Sequence, residues 1–203
     1  ELYLDFYRNI VGNTNMKNFL LALIIGLIFF ACSQKKEATP KTQTKTGPNF
    51  IIILADDLGY GDIASFGATD IKTPNIDRIA NEGIKFTAHY TSSPVCSPSR
   101  AGLLTGRNPH RMWLQNVFFP ESFTGMPTEE NTLAELLKPQ GYATGIVGKW
   151  HLGHHYQYLP LQQGFDEYYG IPYSNDMESV VYMIDNEIDS YKIDQRYTTR
   201  TYT

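Results

Sequence analysis

A continuous apolar run rich in β-branched side chains, Phe50-Ile51-Ile52-Ile53-Leu54-Ala55, constrains this chain more than any other segment. It lacks the polar alternation of a strand with one wet face, so it predicts a strand buried on both faces of a parallel sheet. Asp56-Asp57 then fall at its carboxyl end. The segments that follow supply what such a sheet needs. Thr73-Pro74 reads as an N-cap with proline in the first helical turn, with Ile76, Ile79 and Ala80 facing inward and Gly83 as the stop. Residues 84–90 read as a strand, and 98–106 as a second helix whose first turn begins just after Cys96. Thr132-Leu133-Ala134-Glu135 fits a capping box opening a third helix that ends before Pro139 and Gly141, and 143–147 reads as the next strand. Helices alternating with apolar strands predict an α/β fold, in which ligands bind beyond the carboxyl ends of strands. Asp56, Asp57, Lys149 and His151 all fall there. Farther on, 180–184 and 188–193 flank Asp185-Asn186-Glu187 as a hairpin.

The first 48 residues have a different character. Met16-Lys17-Asn18 precedes the apolar run 19–31, which is too short to span a bilayer comfortably but suits a signal-peptide core. Its end, Phe29-Phe30-Ala31-Cys32-Ser33, resembles a bacterial lipobox, with a small residue before a cysteine that is lipidated. Phe29 and Phe30 depart from the usual residues there, and the alternative is an ordinary signal peptide with a leftover thiol. The expectation is an exported lipoprotein, periplasmic or at the cell surface, anchored to a membrane through Cys32. Residues 1–15 lie upstream of Met16 and read as non-native upstream sequence, 16–31 as signal peptide and 32–48 as the lipidated cysteine with a flexible Lys-, Thr-, Gln- and Pro-containing tether. Across the 203 residues the net charge is −4, with Lys and Arg scattered, which argues against a nucleic-acid surface. The two cysteines, Cys32 and Cys96, sit in such different contexts that a disulfide between them is not expected.

The segment Cys96-Ser97-Pro98-Ser99-Arg100-Ala101-Gly102-Leu103-Leu104-Thr105-Gly106-Arg107 carries the chemistry. Pro98 in the first helical turn puts Cys96 at a helix N-terminus, where free N–H groups and the dipole favour an anion, and Arg100 one turn on can pair with the same anion. The segment resembles the sulfatase signature, C-x-P-S-R followed by a short apolar stretch and T-G-R. In that family a maturation enzyme, the formylglycine-generating enzyme, converts the cysteine to formylglycine, whose hydrated aldehyde attacks sulfur. A second match, Gly141-Tyr142-Ala143-Thr144-Gly145-Ile146-Val147-Gly148-Lys149-Trp150-His151-Leu152-Gly153, resembles the second sulfatase signature. The resemblance implies that Lys149 contacts sulfate and the formylglycine hydroxyl, and that His151 helps the second hydroxyl expel sulfate.

Asp56-Asp57-Leu58-Gly59 resembles the family's paired metal-binding aspartates. Adjacent carboxylates repel unless a hard cation neutralises them, and the family usually holds Ca²⁺, with Mg²⁺ the other candidate. The group derived from Cys96 would join Asp56 and Asp57 at that metal. Ser174, in Gly170-Ile171-Pro172-Tyr173-Ser174, is carried over as a lining of the sulfate pocket. His151, His154 and His155 also suggest zinc, but no carboxylate or cysteine partner is identifiable nearby. His154 and His155 read instead as rim residues of a substrate cleft.

The resemblance implies the alkaline phosphatase-like sulfatase fold, a mixed, mostly parallel sheet with helices on both faces, and assigns 49–203 to its N-terminal part. The family's domain is much longer, and its second pair of metal ligands and its later His and Lys find no counterpart. The expectation is thus a truncated domain, inactive alone, of an enzyme that hydrolyses aryl sulfates or sulfated glycans. The alternatives are a phosphoester hydrolase of the same superfamily and a non-catalytic lipoprotein remnant. The leader supplies a test: Cys32→Ala should release the protein from membranes, as read by fractionation. A variant that stays membrane-bound with its leader cleaved would exclude lipid at Cys32.

Overall fold

The computed structural model describes residues 47–178 and 180–190. The signal-peptide, Cys32 and most of the tether assignments lie outside these residues. The chain divides into two units, Glu1–Pro48 and Asn49–Thr203, and the second carries the elements of the fold. Its helices are α1 (Pro74–Glu82), α2 (Cys96–Thr105) and α3 (Leu133–Leu137), and its strands are β1 (Gly145–Lys149), β2 (Glu167–Ile171), β3 (Tyr182–Ile184) and β4 (Glu187–Ser190). None of the described helices is long and apolar enough to cross a membrane.

Local chemistry explains the helix ends. Pro74 opens α1 and Gly83 closes it, its N–H donating to the Ile79 carbonyl. The helix α2 begins after an extended Val95 and stops at Gly106, which takes the left-handed conformation that glycine adopts without a Cβ clash. In α3 the capping box forms as the sequence predicts: Glu135 N–H donates to Thr132 Oγ1 at 3.2 Å and Thr132 N–H donates to Glu135 Oε2 at 2.7 Å. Both orphan donors are satisfied reciprocally. Pro139 follows in a tight 3₁₀ turn, Lys138–Gln140, before Gly141 turns the chain toward β1.

The strands form a mixed four-stranded sheet in the order β1-β2-β3-β4. β1 and β2 are parallel, with Gly145 opposite Glu167 and Lys149 opposite Ile171. β3 pairs antiparallel with both β2 and β4, so the hairpin read around Asp185-Asn186-Glu187 is formed, with Glu187 already in β4 and residues 191–193 outside the described ones. The core beneath the sheet gathers Trp150, Leu152, Phe165 and Tyr168 with Ala101 of α2, Ala134 of α3, Met112 and Met126. Trp150 meets Phe165 edge-on at 6.1 Å and donates its indole N–H to the Tyr158 carbonyl at 2.9 Å, so its polar tip is satisfied inside the core.

Several sequence expectations are corrected. Residues 50–55 form no strand, and Ile51 and Ile53 are each 85% exposed. Residues 84–90 form a loop, and Ile76 and Ile79 of α1 are exposed although the helix itself forms. The common reason is that two-sided burial requires partners on both sides, and among the described residues none covers these side chains. A cavity of about 660 Å³ lies where Phe50, Ile52 and Leu54 face Ile146 and Val147 of β1.

The β1–β2 pairing is close. A Cβ on Gly170 would lie 1.8 Å from the Gly148 carbonyl oxygen, a backbone atom that cannot swing aside. Gly170→Ala should therefore destabilise the fold by about 3 kcal/mol, by chemical denaturation, whereas Gly61→Ala, where a Cβ meets nothing within 4 Å, should change it by less than about 0.5 kcal/mol.

Candidate active site

Parallel pairing of β1 with β2 delivers two chain segments to one sheet edge. Because Lys149 sits opposite Ile171, the residues that leave β2, Pro172 to Ser174, emerge beside Lys149-Trp150-His151. The pairing continues past the strand, with Trp150 N–H donating to Ile171 O at 2.9 Å and His151 N–H to Pro172 O at 3.2 Å. The N-terminus of α2 brings Cys96 to the same edge.

The Lys149 side chain is 8% exposed, so its ammonium must find acceptors inside the protein. It donates to Asp56 Oδ2 at 2.8 Å, to Ser174 Oγ at 3.0 Å and to Cys96 Sγ at 3.2 Å. Segments dozens of residues apart thus meet on one nitrogen. Arg100 lies behind them rather than toward an open anion position: it donates to the Lys149 carbonyl and, at 2.9 Å, to Asp56 Oδ1. Burial pushes the Asp56 carboxyl up, but the hydrogen bonds from Lys149 and Arg100 and their charges bring it below its ordinary value.

His151 is 1% exposed and holds a φ of 58°, a left-handed conformation uncommon outside glycine. Its Nε2–H donates to the Phe118 carbonyl at 2.7 Å. Its Nδ1 has no hydrogen-bond partner among the described residues. Burial drives its pKa down to about 4; the carbonyl bond works against this, while the Lys149 and Arg100 charges add to it. The imidazole is therefore neutral near pH 7, with Nδ1 as a free acceptor.

Two contributions were not read from the sequence. Phe118 N–H donates to Ser97 Oγ at 3.1 Å while its carbonyl takes His151, so the backbone of one loop residue links the residue after Cys96 to the imidazole. No motif marks a main-chain role of this kind. Asp176 takes a bond from the Ser174 side chain, which together with nearby charge holds its carboxyl below the ordinary value against a small burial cost. His154 and His155, expected at a rim, are half-buried neighbours with ring centroids 4.4 Å apart.

For a divalent cation the described residues offer an incomplete set. Both Asp56 oxygens already face cationic side chains, and Asp57 is exposed with a φ of 57°. Among the described residues no group of three or more His, Cys, Asp or Glu is placed to hold a metal. A hard cation wants about six or more oxygen ligands, so these residues alone do not fit one.

The chain matches the family model described as Sulfatase over residues 48–202. Arylsulfatase G of Canis lupus familiaris is 47% identical over 161 residues, which cover 78% of this chain and 30% of that protein. A solved protein from a core genetic locus for metabolism of multiple glycosaminoglycans by Bacteroides thetaiotaomicron superposes with a TM-score of 0.60 at 40% identity, covering 66% of this chain and 30% of the other. The crystal structure of Ps i-CgsB in complex with k-i-k-neocarrahexaose superposes with a TM-score of 0.56 at 46% identity, covering 57% and 26%. This chain spans less than a third of the length of these relatives.

The histidine yields a prediction. His151 should titrate near pH 4 in the folded chain, as read by its imidazole resonances, and stay neutral from pH 8 down to about 5. The unfolded chain takes up that proton near pH 6.5, so the contribution of neutral His151 to stability is complete above that value and declines as pH falls toward 4. His151→Gln should flatten this part of the stability–pH curve.

Proposed function

The chain belongs to the sulfatase family, and on that premise we propose that its site serves the hydrolysis of sulfate esters, on sulfated glycans or aryl sulfates. The observation that carries the proposal is the Lys149 ammonium held at once against Cys96, Ser174 and Asp56. An ammonium in that position is placed to stabilise a tetrahedral oxyanion and a nucleophile growing from Cys96. Converted to formylglycine by a maturation enzyme, Cys96 would supply the nucleophilic hydroxyl.

The protein's own groups then divide the work. Ser174 Oγ, which accepts from Lys149 and donates to Asp176, lines the sulfate position, and the first-turn N–H groups of α2 donate to sulfate oxygens. Lys149 balances charge beside the attacking atom. Arg100 acts as a positioning residue, fixing Lys149 through its carbonyl and Asp56 through a carboxylate oxygen. His151, neutral and with its buried Nδ1 unpartnered among the described residues, accepts the proton whose departure lets sulfate leave. A divalent cation, Ca²⁺ or Mg²⁺, belongs to the family pattern at Asp56 and Asp57, where it would neutralise developing charge, but the described residues do not complete its shell. Export and a lipid at Cys32 belong to the same proposal, supported by the apolar run 19–31 ahead of Cys32.

Co-expression with a formylglycine-generating enzyme should make the Cys96 peptide about 18 Da lighter than its cysteine form, by mass spectrometry. Lys149→Ala should weaken binding of inorganic sulfate to the converted protein about tenfold, by calorimetry. Unmodified thiol alone, or faster turnover of an aryl phosphate than of the matched aryl sulfate, would reassign the site.

A further inference from the structure

A row of aromatic rings leads away from the Lys149–Ser174 cluster. Tyr173, immediately before Ser174, meets His154 edge-on at 4.7 Å. His154 lies 4.4 Å from His155, and His155 stacks on Phe123 at 5.9 Å with an interplanar angle of 17°. Phe123 is 83% exposed, so hydrophobic burial does not account for its place. What fixes it is the loop it ends. Phe118 is tied by its backbone to Ser97 and His151, and Phe119 and Ser122 close a turn, Phe119 N–H donating to Ser122 Oγ at 2.8 Å and Ser122 N–H to the Phe119 carbonyl at 2.9 Å. The same loop that orients the imidazole therefore presents an uncovered ring at the outer end of the row.

From this geometry we infer that Tyr173, His154, His155 and Phe123 form a sugar-binding platform, specific for sulfated oligosaccharides over small sulfate esters. The inference rests on the sulfate-site reading above. A sulfate group held by Lys149 and Ser174 leaves its sugar beside Tyr173, and further sugars can lie along the row. Pyranose rings present apolar C–H faces, and Phe123, backed by its stack on His155 and largely exposed, offers an aromatic ring to match them. His154 supports this use: burial, and then the neighbouring His155, hold its pKa below the ordinary value, which favours a neutral ring. Burial first, and then the charge of Glu121, raise the Tyr173 pKa, which keeps its hydroxyl protonated as a donor.

The test is binding, in a Cys96→Ala background so that nothing is turned over. Inorganic sulfate, an aryl sulfate and a panel of sulfated oligosaccharides from carrageenans and glycosaminoglycans are titrated into the 203-residue chain by calorimetry. At least one oligosaccharide should bind about tenfold or more tightly than inorganic sulfate. Phe123→Ala and His155→Ala should each remove most of that gain and leave inorganic sulfate unchanged, and Phe123→Trp should restore it. Phe123 is exposed, so its variants test contact rather than folding. The platform is overturned if no oligosaccharide exceeds inorganic sulfate, if Phe123→Ala leaves the gain intact, or if the aryl sulfate shows the gain instead. Failure of the sulfate reading has a different sign: Lys149→Ala would then leave both inorganic sulfate and oligosaccharide binding unchanged.

Discussion

An ammonium withdrawn from water must be surrounded by acceptors, and Lys149 meets that demand with groups drawn from three distant segments. Asp56 supplies the charge, Ser174 and Cys96 supply neutral or polarisable partners. Because Asp56 also receives Arg100, one carboxylate serves two cations and ties the start of the domain to the N-terminal helix of the site. The arrangement is cooperative. Removing Asp56 would leave both cations without their counter-charge, which costs more than the loss of any one exposed ion pair. The close approach of β1 to β2 matters for the same reason, since a shift of one register position would carry Ser174 away from Lys149.

Much of the site was legible in the sequence because its parts are short and local. The capping box at Thr132 follows from a few neighbouring residues and forms where read, whereas the strand read at 143–147 runs from Gly145 to Lys149 and the helix read at 98–106 opens at Cys96 itself. Ser174 came from a resemblance, and its meeting with Lys149 depends on strand register that no local pattern encodes. Arg100 shows the limit from the other side. Its type and spacing suit an anion, yet its partners are a carbonyl and a carboxylate, because a guanidinium pairs with whichever acceptor the fold brings nearest.

The apolar run 50–55 illustrates a different limit. Residue types report the environment that suits a segment, and the run does suit burial on both faces. Whether that environment exists is a property of other elements, and among the described residues nothing covers Ile51 or Ile53. The same holds for the apolar face of α1. By contrast the segments from Ser97 to Met183 hold the core, so the cluster around Lys149 rests on the well-packed side of the domain.

The bonds from Phe118 to Ser97 and His151 are made by its backbone N–H and carbonyl, not by its ring. A main-chain brace is indifferent to the identity of the side chain it carries, so long as the residue is not proline. The part of the loop that meets Ser97 and His151 can therefore stay fixed while positions 119 to 123 change composition. Under the proposed function, what is bound and what reacts would then vary separately on one short loop, which gives selection, or an engineer, a place to alter the one without loosening the other.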